Sequence, residues 1–178
     1  MPEYEMLRQE MLQEQSATHG YNNLMYTATA AILAFTIEKS QFILCMLPLI
    51  VIIPVFLLCE NLRKGQCKIA AYMYVFLEGN EYNWETRHHK LDAQQKHRDW
   101  RGVLPYYTLL LICTSFSVYK CVQYFNDIKM KVLHICILCV ISLICALLMA
   151  TNTTNYIKCR DNYIERWRAI YVFTSVNK

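Results

Sequence analysis

The sequence predicts an all-α fold with four transmembrane helices, arranged as two hairpins with amphipathic helices on the cytoplasmic side. Of the 178 residues, 55% are apolar, and long uncharged runs alternate with charged segments. Residues 41–59 carry no charge, and residues 132–151 contain only His134 as a group that titrates near neutral pH. Each run can cross a hydrocarbon core of about 30 Å at about 1.5 Å per helical residue.

A shorter uncharged run precedes each of these two runs along the chain. These shorter runs are residues 21–37 and 103–119. We interpret them as transmembrane helices as well. The alternative is a soluble bundle whose central helices are apolar all round. Four long uncharged runs in so short a chain would leave such a bundle little polar surface, and this favours the membrane.

The basic residues predict how the chain is oriented. Of the 18 Lys and Arg residues, 14 lie in three segments that four crossings would place on one side. By the positive-inside rule, both termini are cytoplasmic. The predicted organisation is a cytoplasmic amino-terminal segment, a first transmembrane hairpin, a cytoplasmic helical insertion, a second transmembrane hairpin and a cytoplasmic carboxy-terminal helix, at residues 1–20, 21–59, 60–102, 103–151 and 152–178.

Two of the cytoplasmic segments show apolar residues at helical spacing. One such stripe contains Ile69, Tyr72, Met73, Phe76 and Leu77, and the other contains Ile157, Ile164, Trp167 and Tyr171. One protomer offers few partners for these apolar faces. We therefore expect a homo-oligomer in which the cytoplasmic helices of several copies pack together.

The sequence predicts neither a metal site nor a cofactor. Most of the nine cysteines fall within or beside the apolar runs, where a thiol behaves as a small apolar group. Cys136 and Cys139 form a CxxC motif with His134 nearby, but a second pair of ligands at suitable spacing is missing.

A catalytic site can be drawn only weakly, in residues 87–99. His88 and Asp92 are four residues apart, as on one helix face, and His97 follows. The chain lacks a GxSxG, HExxH or P-loop motif, so we interpret this stretch as a solvated loop and predict no enzymatic activity and no catalytic residue.

Nucleic-acid or nucleotide binding is a second hypothesis, and it concerns residues 60–102. This segment combines eight basic residues with five Tyr and Trp rings on which bases could stack. It also contains six acidic residues. A juxtamembrane basic bias with packed aromatic rings explains the same composition, and both interpretations stay open.

A pore is the third hypothesis. The first predicted span carries small or polar side chains on one helical stripe, which consists of Asn23, Thr27, Ala30, Ala34 and Glu38. Around the axis of an oligomer, small residues would leave room for water and a ring of Glu38 would favour cations. Close packing between membrane helices uses the same residue types, so this alternative remains.

A juxtamembrane pattern links the chain to a known group of proteins. The residues are Ile69, Tyr72, Val75, Phe76 and Glu78 in an I-x-x-Y-x-x-V-F-x-E motif, followed by Trp84 and Glu85. This pattern resembles small multi-span membrane effectors of bacterial anti-phage systems, including Hailong-type effectors. The resemblance covers about the central third of the chain.

The resemblance implies an oligomeric effector in the bacterial inner (plasma) membrane that opens an ion path and depolarises the infected cell. Its signal would be a nucleotide or single-stranded DNA made by a partner nucleotidyltransferase. The implied ligand-binding residues are four cations that could contact phosphates and one aromatic ring of the juxtamembrane pattern. They are Arg63, Lys64, Lys68, Arg87 and Trp84. The competing hypothesis is a non-conducting membrane adaptor that docks a cytoplasmic partner.

Overall fold

The computed structural model describes residues 2–38, 42–77, 87, 90 and 102–176. These residues are helical apart from short connections, and no strand occurs in this part of the chain. The predicted all-α class is confirmed. The predicted number of membrane crossings, their direction and the oligomeric state stay predictions.

The first helix, α1 (Pro2–Glu38), is longer than the predicted span at residues 21–37. The polar first segment is therefore helical too, and continuous with the span. Pro2 suits the first turn, because its missing N–H would have no partner there. Glu3 and Glu5 place negative charge near the positive end of the helix dipole.

The second apolar run is not one continuous α-helix. A 3₁₀ turn (Phe42–Met46) comes first, and α2 (Leu49–Tyr72) begins directly after Pro48. Proline lacks an N–H and disfavours α geometry in the residue before it, so a helix starts more easily after Pro48 than across it. Pro54 lies inside α2, where it leaves the carbonyl of Ile50 without its usual donor.

The end of α2 also departs from the apolar pattern. The helix continues past Cys59 and closes in a π-helical turn (Met73–Leu77). The first part of the predicted cytoplasmic insertion is thus helical, as its apolar spacing indicates. Most of residues 78–101 fall outside the described residues.

Three further helices complete the described chain. They are α3 (Leu104–Tyr124), α4 (Ile128–Asn152) and α5 (Tyr156–Val176). The Asp127 side chain caps α4 by accepting from the Lys129 N–H at 3.1 Å. The Asn155 side chain accepts from the Lys158 N–H at 3.2 Å and begins α5 in the same way.

The chain divides into two compact units. Unit 1 contains residues 1–18, 60–99 and 154–178, and unit 2 contains residues 19–59 and 100–153. In unit 2, helices α1 to α4 share one apolar core, in which Met25, Ile52, Phe56, Cys113 and Met149 are buried. The three segments of unit 1 have nearly the same bounds as the three segments predicted to be cytoplasmic. The side of a membrane on which they lie stays a prediction.

Two stretches of the described chain are long and apolar enough to cross a membrane. They are Leu44–Leu77 and Ile128–Phe173, and the criterion is length and composition alone. The first stretch includes residues 44–59 of the predicted span 41–59, and the second includes the whole predicted span 132–151. Crossings by residues 21–37 and 103–119 stay predictions.

Candidate functional site

The face of α1 that turns into unit 2 carries polar residues at a spacing of seven. Thr29 and Thr36 are buried, and Asn22 is half-buried one repeat earlier. Residues seven apart lie on one face of an α-helix. Met25 is buried between them and joins the apolar core. The interior of this helical unit therefore contains polar side chains on α1.

Asn22 is the best-bonded of these residues. Its side-chain oxygen accepts from the Tyr106 hydroxyl at 2.6 Å, and the Cys59 thiol approaches it at 4.0 Å. The Tyr106 ring meets Phe56 edge to face, with ring centroids 5.1 Å apart. Asn22 thus ties α1 to α3 within unit 2, because a polar side chain among apolar neighbours gains from each hydrogen bond it makes.

A second polar contact links α3 to α4. The hydroxyls of Thr114 and Ser142 are 2.8 Å apart, and Thr114 donates to the Leu110 carbonyl at 2.7 Å. Hydroxyl pairs of this kind hold membrane helices together. Neither residue was predicted from the sequence, because a single Ser or Thr within an apolar run carries no periodic signal.

The predicted pore stripe lies on the other side of α1. Asn23, Thr27, Ala30 and Ala34 are all exposed, opposite the buried face that contains Met25 and Thr29. The Thr27 hydroxyl is satisfied within its own helix, by the Asn23 and Leu24 carbonyls at 3.0 Å each. Glu38 ends the helix, and its side chain is outside the described residues. A pore-lining role for the stripe stays a prediction.

Helix α4 exposes most of its apolar side chains. In the most apolar part of the stretch Ile128–Phe173, only 17% is buried, against 44% in the most apolar part of Leu44–Leu77. Leu138, Cys145 and Met149 are the buried residues of α4. The exposed large side chains are Ile128, Met130, Val132, Leu133, Ile137, Val140, Ile141, Leu143, Ile144, Leu147 and Leu148. A patch this large exceeds what a soluble monomer normally exposes.

His134, the one imidazole of the fourth predicted span, sits near the start of α4. Its Nδ1 is 2.8 Å from the Met130 carbonyl, and its ring stacks on Phe125 with centroids 4.4 Å apart. These contacts account for the histidine as a structural residue at the turn between α3 and α4. Cys136 and Cys139 of the CxxC motif are both exposed on α4.

The predicted ligand-binding cations lie in unit 1, and the structure separates them. Lys64 and Lys68 are exposed one turn apart on α2, and Arg87 is exposed as well. Arg63 instead pairs with Glu60 at 3.3 Å on another face of the helix. Trp84 lies outside the described residues, as do His88, Asp92 and His97. Two of the five predicted binding residues therefore share one surface.

Glu60 was not among the predicted site residues. Its carboxylate is 3% exposed and accepts from the Thr154 N–H at 2.6 Å, just before α5 begins. A charge-assisted hydrogen bond of this kind is among the stronger ones in proteins. The available signal was its position, since Glu60 is the first charged residue after the apolar run. Such an acid is usually interpreted as the water-exposed end of a span.

Aromatic side chains join α5 to the end of α2. Tyr72 and Phe76 meet Trp167 edge to face at 5.3 and 6.0 Å, and Tyr171 meets Phe76 at 5.7 Å. The Trp167 ring N–H donates to the Lys68 carbonyl at 3.4 Å. Tyr72 and Phe76 thus have a packing role.

Two contacts hold the first half of α1 in unit 1. Tyr72 donates to the Glu3 carboxylate at 2.9 Å, and this hydrogen bond raises the pKa of Tyr72. Glu14 lies against Gly65, where an added Cβ would come within 2.7 Å of a carboxylate oxygen. Burial raises the pKa of Glu14, and the nearby Glu10 adds to the effect. One Glu14 oxygen is buried with no hydrogen-bond partner among the described residues.

Comparison of the chain with protein families, with curated proteins and with solved structures finds no match.

Proposed function

We propose that this chain is a homo-oligomeric membrane effector whose copies form a gated ion-conducting pore. The observation that carries the proposal is the two-sided α1. Its buried face contacts its own unit through Asn22, Met25 and Thr29, and its opposite face presents Asn23 and Thr27 outward. In lipid, an outward polar stripe is costly unless another copy or water covers it. At the axis of a pore, neighbouring copies and water would both cover this stripe.

The exposed side chains of α4 support the membrane part of the proposal. Aliphatic residues cover this helix on most sides, and lipid tails solvate such a surface without a further partner. In this arrangement α4 faces the lipid and the stripe of α1 faces the axis. The membrane is proposed to be the bacterial inner membrane. Both termini lie on its cytoplasmic side, as the basic residues predict.

Unit 1 is the proposed sensor of the signal. Lys64 and Lys68 form an exposed cationic pair on α2, which fits a phosphate-bearing signal such as a nucleotide or single-stranded DNA. In the proposed anti-phage role, a partner nucleotidyltransferase makes this signal and the open pore depolarises the infected cell. The chain itself would carry out no chemical reaction.

The second candidate is a membrane adaptor that docks a cytoplasmic partner. The end of α5 favours it, because Val172 and Phe173 are 58% and 70% exposed there. Apolar side chains beside Arg166 and Arg168 could form a docking surface. Truncating α5 would then abolish partner pull-down without changing ion flux.

Conductance of the purified chain in planar bilayers tests the pore. Thr27→Leu and Ala34→Leu should reduce single-channel current at least tenfold, because leucine side chains would fill a lumen lined by small residues. Oligomer size on a sizing column should stay unchanged. Ala150→Leu is the matched control, since it enlarges an exposed small residue on α4 and should leave the current intact.

Two outcomes would contradict the proposal. A chain that carries no current with nucleotides or single-stranded DNA present is not a channel of this kind. Unchanged current in both leucine variants would remove the stripe as the pore lining.

A further inference from the structure

Two cysteines of unit 1 come together from different helices. Cys67 lies on α2 and is fully buried, and Cys159 lies in the first turns of α5 and is partly exposed. The Cys67 thiol approaches the Tyr156 carbonyl at 3.7 Å. A helix carbonyl points toward the backbone three and four residues later, so this contact places the Cys67 sulfur at the turn of α5 that contains Cys159. Cys159 lies close enough to raise the pKa of the Cys67 thiol.

We propose that Cys67 and Cys159 form a reversible disulfide that joins α2 to α5 when the protein meets a peroxide. This modification site is separate from the proposed pore and ligand surface. It holds whether or not the chain conducts ions.

The surroundings assign each thiol a role. Burial raises the pKa of the Cys67 thiol, the neighbouring Cys159 raises it further, and the guanidinium groups of Arg160 and Arg63 oppose the rise. A buried, protonated thiol reacts slowly with oxidants. Cys159 is the accessible partner, so it reacts first and Cys67 follows.

The chemistry takes two steps. The Cys159 thiolate attacks hydrogen peroxide, the O–O bond breaks, and a sulfenic acid forms while the released hydroxide takes a proton and leaves as water. Cys67 then attacks the Cys159 sulfur and passes its proton to the departing hydroxyl group. The S–S bond forms as the S–O bond breaks, and a second water leaves. Two thiols lose two electrons, and one peroxide gains them.

The test uses the full chain in detergent, reduced and then exposed to hydrogen peroxide. The protein is then unfolded in denaturant so that every free thiol can be blocked with a maleimide, and the fragments after proteolysis are weighed. We expect a linked fragment containing Cys67 and Cys159 that dithiothreitol separates again. Both thiols staying open to the maleimide would overturn the proposal. A link only between two copies of the same cysteine would do so as well.

Variants separate this pair from the other thiols. Cys159→Ser should abolish the linked fragment, and because Cys159 is only partly buried the variant should still fold. Cys136→Ser is the control, since it removes an exposed thiol of α4 that lies outside this pair, and it should leave the linked fragment at the wild-type amount. Peroxide should raise the melting temperature of the wild type and not that of Cys159→Ser. A link that persists in Cys159→Ser would overturn the assignment.

Discussion

The described residues of both units are mainly helical, yet different interactions stabilise each unit. In unit 2 the buried residues that the structure describes carry no charge: they are apolar side chains, thiols and a few hydroxyl groups such as those of Thr29 and Thr36, with neutral hydrogen bonds such as that from Tyr106 to Asn22. In unit 1 two charged residues, Glu60 and Arg160, are 3% and 1% exposed. Secondary structure alone thus says little about which substitutions the fold tolerates.

The largest effect should follow from removing the buried hydrogen-bond acceptor of unit 1, the Glu60 side chain. Glu60→Ala leaves the Thr154 N–H and Arg63 without their acceptor, so we expect a loss of about 2–3 kcal/mol in the free energy of unfolding. Thermal unfolding in detergent, followed by circular dichroism, measures it. Glu60→Gln is the matched control: its amide oxygen still accepts from Thr154, and the loss should be about 1 kcal/mol or less. Equal losses in both variants would contradict this account.

A smaller effect should follow from the neutral hydrogen bond of unit 2. Tyr106→Phe removes the hydroxyl that Asn22 accepts at 2.6 Å and keeps the ring packing against Phe56. We expect a loss of about 1 kcal/mol, in the range of hydrogen bonds between membrane helices. Tyr107→Phe removes a longer hydrogen bond, 3.4 Å to the Ala146 carbonyl, and should cost less. The comparison fails if Tyr107→Phe is the more damaging change.

The smallest effect is a gain. Burial raises the pKa of Glu14, so its charged form destabilises the fold near neutral pH. Glu14→Gln should raise the free energy of unfolding by up to about 1 kcal/mol at pH 7. A group whose folded pKa is raised contributes most below its unfolded pKa. The advantage of the variant should therefore shrink as the pH falls toward about 4, where wild-type Glu14 takes up its proton. Melting temperatures at several pH values measure this, and an advantage that grows on acidification would refute it.

Apolar runs and helical spacing predicted the all-α class and the helical start of the insertion. They could not predict the break before α2, because the effect of Pro48 depends on whether the chain turns there or continues. Nor could they show that α2 passes Cys59 without interruption. Hydropathy locates the apolar part of a helix, whereas backbone hydrogen bonds decide where the helix ends.

The candidate site was predicted less completely for a related reason. Asn22 and Asn23 are adjacent and equally polar, and spacing alone groups Asn23 with Thr27 as readily as Asn22 with Thr29. Only packing reveals that the face of Asn22 and Thr29 turns inward. The contact of Glu60 with Thr154, and that of the Cys67 thiol with the Tyr156 carbonyl, join residues far apart in sequence. No local pattern encodes such pairs.

The length of α4 has a consequence of its own. Its 25 residues extend roughly 37 Å, and the hydrocarbon layer of a typical bilayer is about 30 Å thick. In the proposed membrane setting, either the first turns with Lys129 and Lys131 reach the headgroup region or the helix tilts relative to the bilayer normal. Bilayers of different acyl length would then change the tilt angle, so the choice of reconstitution lipid becomes an experimental variable.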